Sequence, residues 1–187
     1  TPQDVTLQAS NDITVGSPIL VNNGVGNGGI LTLQAGRSIF LNAAIDTDNA
    51  DLNIFANENL ATGVVNTQRD VGAAVISMGS NGSINAGTGN VTFRVDAGTG
   101  KTNLTAGDIT LRNITANTFR ALSGTETGNI IANGIITANG AGDAILLDAG
   151  ANFTNNYGAG AFVTPLGRWL VYADHGDYTT MNGLSPD

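Results

Sequence analysis

Short words in which apolar and polar residues alternate recur along the chain. VTLQA runs from Val5 to Ala9, LTLQA from Leu31 to Ala35, LNIFA from Leu52 to Ala56 and VTFRV from Val91 to Val95. ITLRN spans Ile109 to Asn113 and ILLDA spans Ile145 to Ala149, with AVISM (Ala74 to Met78) and NIIAN (Asn129 to Asn133) as looser relatives. A period of two places alternate side chains on opposite faces of a strand, one face buried and one solvated. In the second word Leu31, Leu33 and Ala35 share the inward face, and Thr32 and Gln34 point out. The word centres Leu7, Leu33, Ile54, Ile76, Phe93, Leu111, Ile131 and Leu147 recur at a mean spacing near 20 residues.

A second alternating strand follows several words after a turn of Gly, Asn, Asp or Ser, as in Ile13 to Val15 and Ile39 to Ala43. Those residues tolerate turn geometry at low cost. Recurrence of one inward word at that spacing, with no helical pattern between, predicts an all-β fold. Each unit is one coil of a parallel β-helix solenoid of about eight coils, forming a rod roughly 40 Å long. The competing architecture is an antiparallel sandwich or barrel, which would use tight hairpin turns and would not need the repeated word. The 187 residues are read as one domain, with repeat coils over 4–149 and an aromatic-rich final coil and cap over 150–187.

Composition narrows the functional classes. Seven Lys+Arg against fifteen Asp+Glu give a net charge of -8, so the counterion-releasing basic face that nucleic acid requires is missing. With no Cys, thiolate metal sites, catalytic thiols and disulfides are excluded. No apolar run approaches the ~20 residues of a membrane-crossing helix, so membrane insertion is not expected. The opening Thr-Pro-Gln-Asp has no signal-peptide pattern, which reads as a removed signal or an excised segment. Gly is 26 of 187, about twice the usual ~7%, and Asn numbers 23, a composition suited to many short turns.

The stretches LTLQAGRSIFLNAAI (Leu31 to Ile45), VTLQASNDITV (Val5 to Val15) and GDITLRNITA (Gly107 to Ala116), with the tail Gly167 to Leu184, resemble filamentous haemagglutinin-like exoproteins. These are bacterial adhesins exported by two-partner secretion. The resemblance implies a right-handed parallel β-helix in a secreted or cell-surface rod that adheres to glycans or to host or neighbouring cells. It implies no catalytic residues. As an isolated segment the chain is expected to be monomeric. The family's amino-terminal secretion motifs are not found, and the loop Gly63 to Gly72 breaks the coil pattern, either as a binding loop or as a long turn.

Candidate chemistry is sparse. Asp46, Asp48 and Asp51 form D-x-D-x-x-D, three carboxylates that would suit Ca²⁺ as the sole cofactor considered, or else an Asx-rich turn. Gly140 to Ile145 echoes a single calcium-roll repeat. His175 lies between Asp174 and Asp177, without a nucleophile motif to serve. The two acids would suit a polysaccharide lyase or hydrolase, the third and least favoured reading. Alternation places Phe40 and Phe55 outward on neighbouring coils, where they would form a patch for a partner or glycan. Six of the ten aromatic residues fall in the last 35 positions, and Trp169 and Tyr172 read as part of an end plug or as a sugar-stacking platform. Both faces of the strand from Arg168 to Ala173 are apolar, which predicts burial on two sides. The function expected is a non-catalytic adhesive or structural rod. The alternative is a carbohydrate-binding β-helix attached to a carbohydrate-active enzyme.

Overall fold

The structure is a computed structural model describing residues 3–24, 26–58, 61–97, 106–124 and 127–185. Six successive coils each carry three strands. The first holds β1 (Val5–Ala9), β2 (Ile13–Val15) and β3 (Ile19–Leu20), and the second β4 (Leu31–Ala35), β5 (Ile39–Leu41) and β6 (Ala44–Asp46). The third holds β7 (Leu52–Ala56), β8 (Ala74–Met78) and β9 (Ser83–Asn85), and the fourth β10 (Val91–Val95), β11 (Ala106–Leu111) and β12 (Asn113–Ala116). The fifth holds β13 (Phe119–Ser123), β14 (Ile130–Ala132) and β15 (Ile136–Ala138), and the sixth β16 (Gly142–Ala149), β17 (Phe153–Asn155) and β18 (Phe162–Val163). A seventh opens with β19 (Gly167–Ala173).

Each strand pairs in parallel with its counterpart one coil away. The first strands form a seven-stranded sheet in the order β1-β4-β7-β10-β13-β16-β19, and the second and third strands form six-stranded sheets. This is the parallel β-helix the alternation predicts. At ~4.8 Å per strand the longest sheet extends about 29 Å, shorter than the eight-coil estimate. Five of the eight words lie in the first sheet, but those centred on Ile76, Leu111 and Ile131 lie in the second. The true coil period is therefore longer and more variable. Ile54 stacks on Leu33 from 21 positions away, and Phe93 stacks on Ile54 from 39.

Inward residues make one continuous apolar column running through the coils. Leu33, Ile54, Phe93, Ala121 and Leu147 are fully buried at successive levels of the first sheet. Large and small residues complement one another between levels: Ala121 follows Phe93 in register, while Phe119 packs edge-on against Phe93 with centroids 5.4 Å apart.

The corners explain the Asn content. Where a coil turns, the next coil's backbone N–H needs an acceptor, and a side chain supplies it. Asp108 Oδ1 accepts from the Asn129 backbone and side-chain N–H groups, and Asn129 Oδ1 accepts in the same two ways from Asn152. Asp51, Asn90 and Asn117 form a similar ladder at another corner. Glycine is required where corners stack closely: a Cβ at Gly36 would strike the Ser10 carbonyl of the preceding coil.

The two ends differ. At the far end Phe153, Phe162 and Trp169 pack in sequence, with centroids 5.9 and 5.6 Å apart. The chain then continues through a short 3-10 turn, Gly176–Tyr178, and brings Leu184 into the core. At the near end the inward residues Val5 and Leu7 remain 47% and 46% exposed. The pairing of β16 with β19 carries the stack across the boundary expected near residue 150.

Candidate functional site

The outer surface of the first sheet is the longest unbroken face. Register places Gln8, Gln34, Phe55, Arg94, Leu122, Asp148 and Tyr172 in one outward column. Gln8 Nε2 donates to Gln34 Oε1 at 2.7 Å, a ladder bond between coils. The Arg94 guanidinium lies 4.1 Å from the centroid of the Phe55 ring, a cation–π contact that covers one aromatic face. Tyr172 is 54% exposed at the far end of this column, in register with Asp148. Strand β19 is therefore open on its outer side, in contrast to burial on two sides. The sheet has no further strand over Tyr172, so an apolar outer residue there stays solvated.

Trp169 is a different case. It is in register with the inward Ile145 and packs on Phe162, so it belongs to the end plug. Phe40 lies in β5, on the second sheet, between Thr14 and Ser77. Phe40 and Phe55 are both half-buried and occupy different sheets, so they do not make the single patch that alternation alone suggests. Alternation distinguishes inside from outside and does not say which of three faces a residue occupies.

A shallow cleft of about 290 Å³ opens beside the outward column, lined by Arg94, Asp96, Leu122, Asp148, Gly150 and Asp174 among others. The sequence reading reached Asp174 through its neighbour His175. It missed Asp148 and Asp96 as cleft residues, because only the coil register brings three segments so distant in sequence together. His175 is exposed, with its backbone N–H donated to Ala151 O. A second shallow groove of about 490 Å³ runs over the third sheet, lined by Leu20, Asp46, Asn85, Thr115 and Thr137 among others.

The three carboxylates of D-x-D-x-x-D are engaged separately. Asp46 accepts from Asp48 N–H and Asn85 Nδ2, Asp48 accepts from Asn23 N–H, and Asp51 accepts from Asn90. Asp48 and Asn49 take left-handed backbone angles, φ 52° and 66°, which Asp and Asn tolerate well. Thr47 Oγ1 closes the turn by donating to Ala50 O. The segment is a turn in which each acid faces a different neighbour. Among the described residues no group of three His, Cys, Asp or Glu side chains is placed to hold a metal ion.

The loop containing Gly63 to Gly72 folds back over the two preceding coils. Val65 N–H donates to Ser10 Oγ, and Asn11 and Asp70 exchange two hydrogen bonds. The Arg69 side chain is buried, and its guanidinium donates to Gly36 O, Asn57 Oδ1 and Glu58 O. Burial pulls the Arg69 pKa down, with Glu58 and Asp96 opposing that shift. Glu58, itself buried, also pairs with Arg94 at 3.1 Å. Arg94 Nε lies 2.7 Å from Asp96 Oδ1, an ion contact without a linear N–H···O bond. The loop is thus a strap across three coils, and its polar residues are spent on that attachment.

Beside the strap, Arg37 forms a two-pronged pair with Asp12, at 2.8 and 2.6 Å. Its hydrogen bonds hold the Asp12 carboxyl below the usual range, assisted by Ser38 N–H and opposed by partial burial. A depressed native pKa stabilises the fold above the unfolded value of about 3.9, and that contribution is lost as pH falls through the lower native value. Asp12→Asn is expected to cost about 1 kcal/mol at neutral pH and to flatten the acid limb of stability below about pH 4. Urea titrations at pH 7 and pH 3 check it: the wild type and the variant should converge in acid.

Comparison with family models, with curated proteins and with solved structures finds no match to this chain.

Proposed function

We propose that the chain is a non-catalytic rod segment of a secreted or cell-surface bacterial adhesive protein, making shallow contacts with glycans or cell surfaces along its length. The observation that carries this reading is the seven-stranded first sheet, which sets side chains in columns at a fixed ~4.8 Å repeat. Such a surface offers many equivalent weak contacts and gains strength by arraying them. The resemblance of Leu31 to Ile45 and of the Gly167 to Leu184 tail to filamentous haemagglutinin-like exoproteins supports the same setting.

A second reading, a carbohydrate-binding module, is favoured by the cleft of about 290 Å³ beside the column that carries Phe55, Asp148 and Tyr172. A pyranose stacked on an exposed Tyr ring beside carboxylate acceptors is a recognised mode of polar-plus-apolar recognition.

Affinity electrophoresis through polysaccharide gels, with and without Ca²⁺, separates the two. The rod predicts little retention of the free chain and strong retention when the chain is arrayed on beads, by about 100-fold or more in apparent affinity. Retention of the free chain that is lost in Tyr172→Ala and Asp148→Ala would transfer the assignment to the carbohydrate module. No retention of the arrayed chain on any glycan or cell surface would remove the adhesive reading.

A further inference from the structure

The near end of the solenoid is open, and its chemistry is self-complementary. The inward residues of the first coil are Val5, Leu7 and Ala9 on β1, with Ile13, Val15 and Ile19 on β2 and β3. Their counterparts in the second coil are buried, yet Val5 and Leu7 are nearly half exposed. The strands β1, β2 and β3 each end their sheet, so one edge of each is unpaired.

The polar side chains of this coil face the other way. Asp4 accepts from Ile30 N–H, Gln8 donates to Gln34, and Asp12 holds Arg37 and Ser38 N–H. Ser10 and Asn11 are bonded to the strap. None of these charges is spent on the open end, which presents bare strand edge and aliphatic side chains. Protective devices common on free edges, such as a Lys or Pro within the strand, are absent from the five residues of β1.

We infer that this end is the interface of a closed head-to-head dimer, its occupant a second copy of the chain. A two-fold axis normal to the first sheet and passing through Leu7 sets β1 antiparallel to its copy. Leu7 then faces Leu7, Val5 faces Ala9, and Thr6 faces Gln8. The inward residues stay inward because the axis is normal to the sheet. No like charges meet in that register, and the two apolar columns join into one. The far end does not supply the partner surface. There His175 N–H bonds to Ala151 O and Thr180 N–H to Phe153 O, and this segment lies over the end of the second sheet. An isologous interface therefore closes at two copies.

The interface belongs to the 187-residue chain itself, does not rest on the adhesive reading, and replaces the expectation of a monomer. Dimerisation would double the rod, with the strapped coils at its centre.

Sedimentation velocity over roughly a hundredfold range of concentration tests it. The chain should pass from monomer to dimer and stop there. Leu7→Lys sets two ammonium groups at the axis and should raise the dissociation constant by about tenfold or more. Because the chain has no Cys, Leu7→Cys gives a unique probe, with Leu20→Cys, an exposed residue of β3 away from the axis, as the control. Mild oxidation should link Leu7→Cys chains into covalent dimers much faster than Leu20→Cys chains. A monomer at every concentration, assembly that continues beyond two copies, or equal crosslinking of the two variants would overturn the inference.

Discussion

Phe93→Ala is expected to lower the unfolding free energy by about 3–5 kcal/mol. Phe93 is fully buried and its ring packs edge-on against Phe119 across one coil step. Truncation removes the transfer free energy of the ring and leaves a cavity that Ala121, next in register, is too small to fill. The backbone around it is tied into the first sheet on both sides, so the walls cannot collapse freely. Phe93→Leu, which keeps most of the volume, should cost less than half as much. Urea denaturation measures both. A loss below about 1 kcal/mol for the Ala variant would mean that the column is not packed as described.

The second large effect lies in the strap. Arg69→Ala removes the donor from Gly36 O and Glu58 O and withdraws a cation from the buried Glu58. Breaking a buried charged network of this kind costs about 3–5 kcal/mol. Arg69→Met tests the physics more finely, since it keeps apolar bulk and removes only the donors and charge. It should recover part of the packing and little of the polar loss. Hydrogen exchange gives the location: in Arg69→Ala, Val65 N–H and Asp70 N–H, which bond to Ser10 and Asn11, should lose protection before the sheets do. Uniform loss of protection instead would assign Arg69 to the global core.

Much of this architecture is written in the alternation of the words, because a half-buried strand needs that pattern. What the words do not reveal is the face to which each belongs. AVISM and ITLRN read as equivalents of LTLQA, yet they build the second sheet, since either sheet buries the same kinds of residue. The strand FRALS escaped notice altogether. Its inward residues are Phe119, Ala121 and Ser123, and the last is buried because its Oγ donates to Gly128 O and accepts from Gly150 N–H. A polar residue with such partners looks like a turn in sequence and behaves as core in the fold.

The candidate surface was legible to a smaller degree for the same reason. Phe55 and Tyr172 were recognised as outward or terminal, but their shared column depends on coil lengths that vary from 21 to 39 residues. The strap lengthens one coil without disturbing the register of the strands around it. Trp169 could be assigned between plug and platform only once its register with Ile145 was known.

The extended stack is the premise on which the functional reading stands, and a single distance tests it. Thr6 and Leu146 share an outward column of the first sheet and are separated by five strand spacings. Spin labels introduced through Thr6→Cys and Leu146→Cys, diluted with unlabelled chain, should give one narrow distance near 24 Å between backbone positions, lengthened by the label linkers. A distance below about 12 Å, or a broad distribution, would place the two words side by side or leave them unfixed, and would contradict the stacked rod.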